Sequence, residues 1–172
     1  MPRRHATLRT SLGDLLVVAD ADADGLAGLY FPGHWHPPAA DSLGTEVDAR
    51  GDELFSRLGA ELDEYLAGRR IRFDLPLAPT GDDFQQAVWG MLREIPYGST
   101  VTYGELALRL GDRNLARRVG GAVGRNPISI LVPCHRVVGA DGSLTGYAGG
   151  LERKRRLLEL EGAEVVAQRR LF

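Results

Sequence analysis

Residues 126–138 read NPISILVPCHRVV, and the only cysteine of the chain, Cys134, stands in this stretch between Pro133 and His135. With no second cysteine, the thiol has no disulfide partner in its own chain. An isolated cysteine is more often a small buried hydrophobe than a nucleophile, so its neighbours must make the case for chemistry. Ile128, Ile130, Leu131 and Val132 read as a short, buried, extended run that stops at Pro133, which lacks an amide hydrogen and constrains the residue before it. His135 and Arg136 follow immediately. Either can lower a thiol pKa, through a shared proton or a nearby positive charge, and the thiolate is the reactive form.

Outward from this stretch, charge is unevenly spread. The chain of 172 residues carries a formal charge of −2, but residues 1–81 sum to −5 and residues 82–172 to +3. From Arg109 to Arg136 there are six arginines against one acid, Asp112. Positive potential is thus concentrated around the cysteine, which suits a polyanionic partner; a solvated arginine face is the plainer alternative. The length supports one or two small domains whose cores need neither disulfides nor structural metal. No apolar run is long enough to span a bilayer, and MPRRHATLRT at the N-terminus lacks the apolar core of a secretion signal. A single cysteine fits a reducing compartment, so the expectation is a cytoplasmic protein with no membrane partner. There is no internal repeat and no low-complexity tract.

The N-terminal part reads as a small α+β domain. Ala6–Thr10, Asp14–Ala19 and Leu26–Phe31 have strand character and suggest an antiparallel meander. Pro32–Pro38, PGHWHPP, is a loop; His34 and His36 flank Trp35, but no cysteine or nearby carboxylate completes a tetrahedral set, so no metal site is expected. From Asp52 the pattern turns helical, with Leu54, Phe55, Leu58, Leu62, Tyr65 and Leu66 in one stripe that ends near Gly68. Ile71, Phe73 and Leu75 alternate as a strand. Residues 77–81 read as a linker between domains at 1–76 and 82–172.

The second domain opens with Asp82 and Asp83 at a helix N-terminus. Phe84, Ala87, Val88, Met91, Leu92 and Ile95 form the expected buried stripe, ended by Pro96. Thr102 and Glu105 make a capping-box pattern for a short helix that Gly111 closes. Asn114 is placed to cap a further helix over 115–123. Two short helices with a tight turn, the second rich in arginine, form a helix-turn-helix pattern; an ordinary helical hairpin is the alternative. At about 100° per residue, Leu115, Val119, Ala122 and Val123 share the face that must be buried. Arg117 lies opposite with Gly121 and Gly124, glycines that let a partner approach the backbone closely. Arg118 and Arg125 project from a flank suited to phosphates. Asp141–Gly150 reads as a mobile loop around Tyr147, followed by a helix over 151–160 ended by Gly162 and an extension from Ala163 expected to be poorly ordered.

PCHRVV, preceded by GRNP and followed by GYAGG, closely resembles the active-site region of the O6-alkylguanine-DNA alkyltransferases. TYGELA upstream and LLELEG downstream stand in register with it, and the resemblance is strong from about Phe84 to Gly162. It implies an α+β fold, with a small ribonuclease-H-like N-terminal domain serving as scaffold and a mainly helical domain carrying a helix-turn-helix and the active-site loop. The implied activity is DNA repair without a cofactor. O6-Alkylguanine is flipped out of the duplex, because its reactive carbon is inaccessible within the stack, and the alkyl group passes irreversibly to Cys134 in a single turnover.

Residue by residue, the resemblance makes His135 the base that relays the thiol proton through a water, and Glu161 the group that orients His135. Asn126 hydrogen-bonds within the active-site turn. Tyr103 assists nucleotide rotation and donates to the base. Tyr147 and Gly149 form the pocket loop and Val123 its opposite wall, while Ala148 departs from the serine frequent there. Arg117 fills the space of the flipped base, and Arg118 stands where a small residue is usual. The implied partner is double-stranded DNA entered through the minor groove, by a monomer that can cluster on DNA. Some members bind a structural zinc near the N-terminus through cysteines and histidines; no cysteine is present there, and no metal is expected.

Three rivals are weaker. In the non-repairing alkyltransferase-like proteins the acceptor cysteine is replaced, commonly by tryptophan. A helix-turn-helix regulator usually needs a dimer surface to read paired half-sites, and no heptad appears. A cysteine hydrolase would need dyad geometry that adjacent residues such as Cys134 and His135 rarely provide.

Overall fold

The computed structural model describes residues 2–21 and 25–164, which divide into two units. The first comprises the chain to Thr80 together with Pro127–Ser129, and the second the remainder from Gly81.

In the first unit, apolar alternation produces strands β1 (Arg3–Thr10), β2 (Gly13–Asp20) and β3 (Leu26–Tyr30). β1 and β2 are antiparallel with Thr10 opposite Gly13, β2 and β3 are antiparallel, and the short β4 (Thr45–Glu46) runs parallel to β1, giving the order β3-β2-β1-β4. The meander is therefore extended by one strand that the sequence pattern does not announce. Gly44 leads into β4 with φ of +70°, and a Cβ there would sit 1.7 Å from the Arg3 carbonyl oxygen, so only glycine lets the chain pass. α1 (Glu53–Leu66) is capped by Asp52, whose carboxylate accepts from the Phe55 amide, and buries Leu54, Phe55, Leu58, Leu62 and Tyr65. With Ala6, Leu15, Val17 and Leu29, these residues make the core.

The exposed edge of β3 is covered on both flanks. Leu26 pairs with Pro76 and Ala78, and Leu29 donates to the Pro127 carbonyl and accepts from the Ser129 amide, at 2.8 and 2.9 Å. Pairing satisfies edge groups that would otherwise recruit another chain.

Residues 71–75, expected as a strand, are irregular, and Ile71 is 62% exposed. Side chains serve the backbone here in place of a ladder: Arg70 donates to the Arg72 carbonyl at 2.9 Å, and the buried Glu61 carboxylate accepts from the Asp74 amide at 3.0 Å.

In the second unit, α2 (Asp83–Arg93) begins with a complete Asp82/Gln85 capping box. Its buried face is Val88, Trp89 and Leu92, continued by Ile95; Ala87, expected inside, is exposed, and Phe84 and Met91 are half-buried. Trp89 takes the place because its indole N–H reaches the Ala122 carbonyl at 2.8 Å, which allows an amphipathic ring to be buried with its donor satisfied. β5 (Val101–Thr102) leads into α3 (Tyr103–Arg109) through the Thr102/Glu105 capping box, and Gly111 follows at φ +103°. The turn into α4 (Ala116–Gly124) is capped by Asp112, which accepts from the Asn114 amide; Asn114 is not the cap. α4 packs on α2 and α3 through Val119, Ala122 and Val123. β6 (Val137–Val138) pairs parallel with β5, and α5 (Leu151–Leu160) closes the unit, ended by Gly162 at φ +71°.

Ala163, expected to begin a loose tail, is buried with Val138, Leu144 and Leu158. The rest of that expectation, from residue 165 on, lies outside the described residues. Among the described residues no helix is long and apolar enough to cross a membrane.

Candidate active site

The stretch around Cys134 is buried as expected, except for the half-buried Leu131, but is not extended. It is a series of turns, in which Ile130 has φ +71°; for a β-branched residue this costs about 1–2 kcal/mol. The side chain is 2% exposed, so its burial offsets the strain. Pro133 then adopts φ −79° and ψ 65°, and the Cys134 amide donates to the Val132 carbonyl at 2.7 Å, an inverse γ-turn. The same carbonyl accepts from Asn126 Nδ2 at 2.8 Å. Asn126, 1% exposed, thus pins the tight turn that presents the thiol.

Cys134 opens a single helical turn with His135 and Arg136, all three buried. The His135 imidazole is fully buried, and Nε2 lies 2.9 Å from Glu161 Oε2. A nitrogen facing a carboxylate carries the hydrogen, which leaves a lone pair on Nδ1. Nδ1 has no hydrogen-bond partner among the described residues. Burial pushes the His135 pKa below its ordinary value, with Glu161 opposing, so the ring is neutral near pH 7 and able to accept a proton.

Glu161, just past the end of α5, also accepts from Arg136 Nε at 2.8 Å and Nη2 at 2.9 Å. Arg136 Nη1 donates to the Ile95 carbonyl at 2.7 Å. A guanidinium fork on a carboxylate is a strong and directional pair. The arginine that follows the histidine therefore fixes the carboxylate that orients it, a role not visible in the sequence.

Burial is also the largest influence on Cys134, and it pushes the thiol pKa up. Opposing it are the polar side chain of Asn126, the charge of Lys154 and the hydroxyl of Tyr147. Lys154 is completely buried, with Nζ donating to the carbonyls of Val137 at 2.6 Å and Thr145 at 2.9 Å. Burial lowers its pKa to about 8. The sequence does hold a signal for it, because position 154 falls three and four residues before Leu157 and Leu158, on the buried stripe of α5. The loop over 141–150, expected to be mobile, is held by these bonds and by burial of Leu144, Tyr147, Ala148 and Gly149. Gly149 further accepts from Arg153 Nη1 at 3.0 Å.

Of the remaining candidates, Val123 is buried on α4. Tyr103, the first residue of α3, lies against α4 at Gly120 and is half-buried, which raises its phenol pKa; Thr145 lowers it and Cys134 raises it. Arg117, Arg118 and Arg125 are exposed. Arg118 is not a free arm, since its guanidinium stacks over the Phe84 ring at 3.9 Å. Gly121 and Gly124 both face open space: a Cβ at either position would meet no atom within 4 Å, and neither has a left-handed φ. Nothing inside the fold requires glycine there. In the N-terminal loop, the buried His34 accepts from the His36 amide at 2.9 Å through Nδ1, and no group of three His, Cys, Asp or Glu side chains among the described residues is arranged to hold a metal.

The family model described as the DNA binding domain of 6-O-methylguanine DNA methyltransferase matches residues 83–163, and that of its ribonuclease-like domain matches residues 4–79. The methylated-DNA–protein-cysteine methyltransferase of Methanosarcina acetivorans is 54% identical over 160 residues, 92% of this chain and 98% of that protein. The protein of the same name from Haemophilus influenzae is 44% identical, over 87% of this chain and 81% of its own. Among solved structures, Mycobacterium tuberculosis OGT in complex with DNA is 42% identical, with a TM-score of 0.82 and 92% of each chain covered. With both of its units matched and a relative 54% identical aligned over 98% of its own length, the chain belongs to the 6-O-methylguanine DNA methyltransferase family.

Proposed function

We propose that this protein repairs DNA by transferring the alkyl group of O6-alkylguanine to Sγ of its own Cys134. The observation that carries the reading is the buried series Cys134, His135, Glu161 and Arg136, in which a neutral imidazole, oriented by a carboxylate, neighbours the only thiol. His135 Nδ1 takes the thiol proton through a water, and the thiolate attacks the saturated carbon on O6. The S–C bond forms as the C–O bond breaks, and the guanine leaves with a proton in place of the alkyl group. Tyr103 donates to the departing base. A thioether is not hydrolysed under ordinary conditions, so each molecule acts once.

The substrate is double-stranded DNA, and the target base leaves the stack to be read in a pocket bounded by Tyr147, Ala148, Gly149 and Val123. α3 and α4 act as the helix-turn-helix, entering the minor groove with Arg117 in the space of the flipped base. The open space over Gly121 and Gly124 beside an exposed Arg117 supports close approach of α4 to the duplex. Arg118 and Arg125 meet phosphates. Residues 82–172 carry the chemistry and the DNA surface, and residues 1–76 the scaffold. The protein works as a monomer in the reducing cytoplasm, where its thiol stays free.

The test compares wild type with Cys134→Ser on a duplex containing O6-methylguanine. Wild type is expected to restore guanine, and Cys134→Ser to bind with similar affinity and leave the methyl group in place. Methyl removal by Cys134→Ser would overturn the assignment of the acceptor.

A further inference from the structure

The turn between α2 and β5 meets Arg136 and the end of α5 at three points. Ile95 is buried, and its carbonyl accepts from Arg136 Nη1 at 2.7 Å. Tyr97 sets its ring centre 5.8 Å from the guanidinium carbon of Arg136, within the reach of a cation–π contact, and its hydroxyl donates to the Leu160 carbonyl at 3.3 Å. Gly98, at φ +82°, lets the chain run close to α5, since a Cβ on it would stand 3.1 Å from the Glu161 carbonyl oxygen. The Ser99 amide closes the turn on the Pro96 carbonyl at 3.1 Å.

The end of α5 supplies the acceptor for the tyrosine. The last carbonyls of a helix have no partner within it. Here the Gly162 amide donates to Glu159 and the Ala163 amide to Leu158, both at 3.0 Å, as in a Schellman motif. The Leu160 carbonyl, next in line, is the one that Tyr97 takes, and it belongs to the peptide group that enters Glu161. Burial and the Glu161 carboxylate push the Tyr97 phenol pKa up, with Arg136 opposing, so the hydroxyl keeps its hydrogen near neutral pH.

Both members of the buried ion pair are thus held from one turn. Arg136 is held by the Ile95 carbonyl and the Tyr97 ring, and Glu161 through the backbone on either side of its Cα. Glu161 Oε2 in turn meets His135 Nε2 at 2.9 Å. A hydrogen bond weakens steeply when misaligned, so anchors outside the helix matter to the imidazole.

We propose that Tyr97 is a positioning residue of the alkyl transfer, which keeps the Glu161 carboxylate in line with His135 through the end of α5 and through Arg136. It acts through these groups and not on the reacting atoms. The inference rests on Cys134 being the nucleophile and His135 its base.

The His135 ring gives a readout that stability alone does not move. A buried N–H donating to a carboxylate has a far-downfield proton that exchanges slowly with water. The chain has four histidines, so in protein labelled with 15N-histidine the signal is assigned by its loss from His135→Ala. In Tyr97→Phe, which keeps the ring and drops the hydroxyl, this proton is expected to move upfield and to exchange about threefold faster. An unmoved signal overturns the proposal.

Tyr97→Leu removes both holds. Iodoacetamide alkylates Cys134 in proportion to its thiolate; for this variant the rate at neutral pH should fall about tenfold and approach that of wild type at alkaline pH. A wild-type profile overturns the proposal, as does equal slowing at every pH, which would mark general damage. Should Tyr97→Leu fail to fold, the Tyr97→Phe signal decides. Methyl transfer by wild type in parallel separates the two failures: if wild type takes methyl from DNA and the tyrosine tests are negative, only this proposal fails; if wild type takes none, the nucleophile assignment fails first.

Discussion

Replacing Glu161 by Gln keeps the shape of the side chain and removes its charge. Glu161 is 4% exposed and accepts from His135 and twice from Arg136, itself 8% exposed. The variant leaves the guanidinium buried without its counter-ion and brings amide hydrogens towards N–H donors. Removing one partner of a buried pair costs about 3–5 kcal/mol, and for a chain of this size each kcal/mol lowers Tm by about 2–4 °C. A fall of roughly 6–20 °C is expected in scanning calorimetry, together with transfer slowed by about a hundredfold because the imidazole loses its orienting acceptor. The decisive comparison is the double variant Glu161→Gln/Arg136→Met. With both charges gone no ion is stranded, so at least half of the lost Tm should return while transfer stays slow. A loss below about 2 °C in the single variant, or a double variant as unstable as the sum of its parts, would refute the pairing as the feature that holds the site.

The other expectations are narrower. His135→Ala should slow alkylation at neutral pH and recover partly at higher pH, where the thiol ionises unaided; a rate equally low at every pH would indicate a collapsed site. Lys154 has a folded pKa of about 8 against 10.5 for the free group, so between these values the unfolded chain binds more protons and folding stability rises with pH. Wild type should therefore gain about 3 kcal/mol relative to Lys154→Met between pH 7.5 and 10.5, read from denaturant midpoints; a constant difference would contradict the lowered pKa. Arg117→Ala should impair repair of duplex DNA far more than reaction with free O6-benzylguanine, which needs no flipping. Arg118→Ala should weaken binding and flatten its salt dependence by about one phosphate contact; the duplex-selective defect appearing in Arg118→Ala would show that the two arginines have been assigned the wrong way round.

Periodicity and capping carry much of the fold in plain view. The stripe of α1, the Thr102/Glu105 box, the buried face of α4 and the glycine stops after α1, α3 and α5 are local signals, and local physics decides them. Where the chain departs from its pattern, a distant partner is responsible. Residues 71–75 alternate like a strand but are held by Arg70 and Glu61. Trp89 displaces Ala87 from the core because Ala122, thirty-three residues on, offers a carbonyl. The run before Cys134 has the composition of a buried strand, yet Asn126 and the γ-turn at Pro133 fold it back, and Ile130 takes a left-handed conformation that no β-branched residue advertises. At the site, resemblance points to Cys134, His135, Glu161 and Asn126. The fork of Arg136 and the ammonium of Lys154 depend on which groups α5 brings beside them, and helical register on the Leu157/Leu158 face is the only trace of the latter.

The central claim is that one molecule accepts one alkyl group, on one atom. A duplex bearing O6-methylguanine with an isotopically labelled methyl group is mixed with the protein at several-fold excess of DNA. The protein is then digested and its peptides are weighed. The label is expected on the peptide containing Cys134 alone, at a plateau of one methyl per protein molecule, with the surplus lesion untouched. Label on any other residue, or continued loss of lesion after the plateau, would contradict the account.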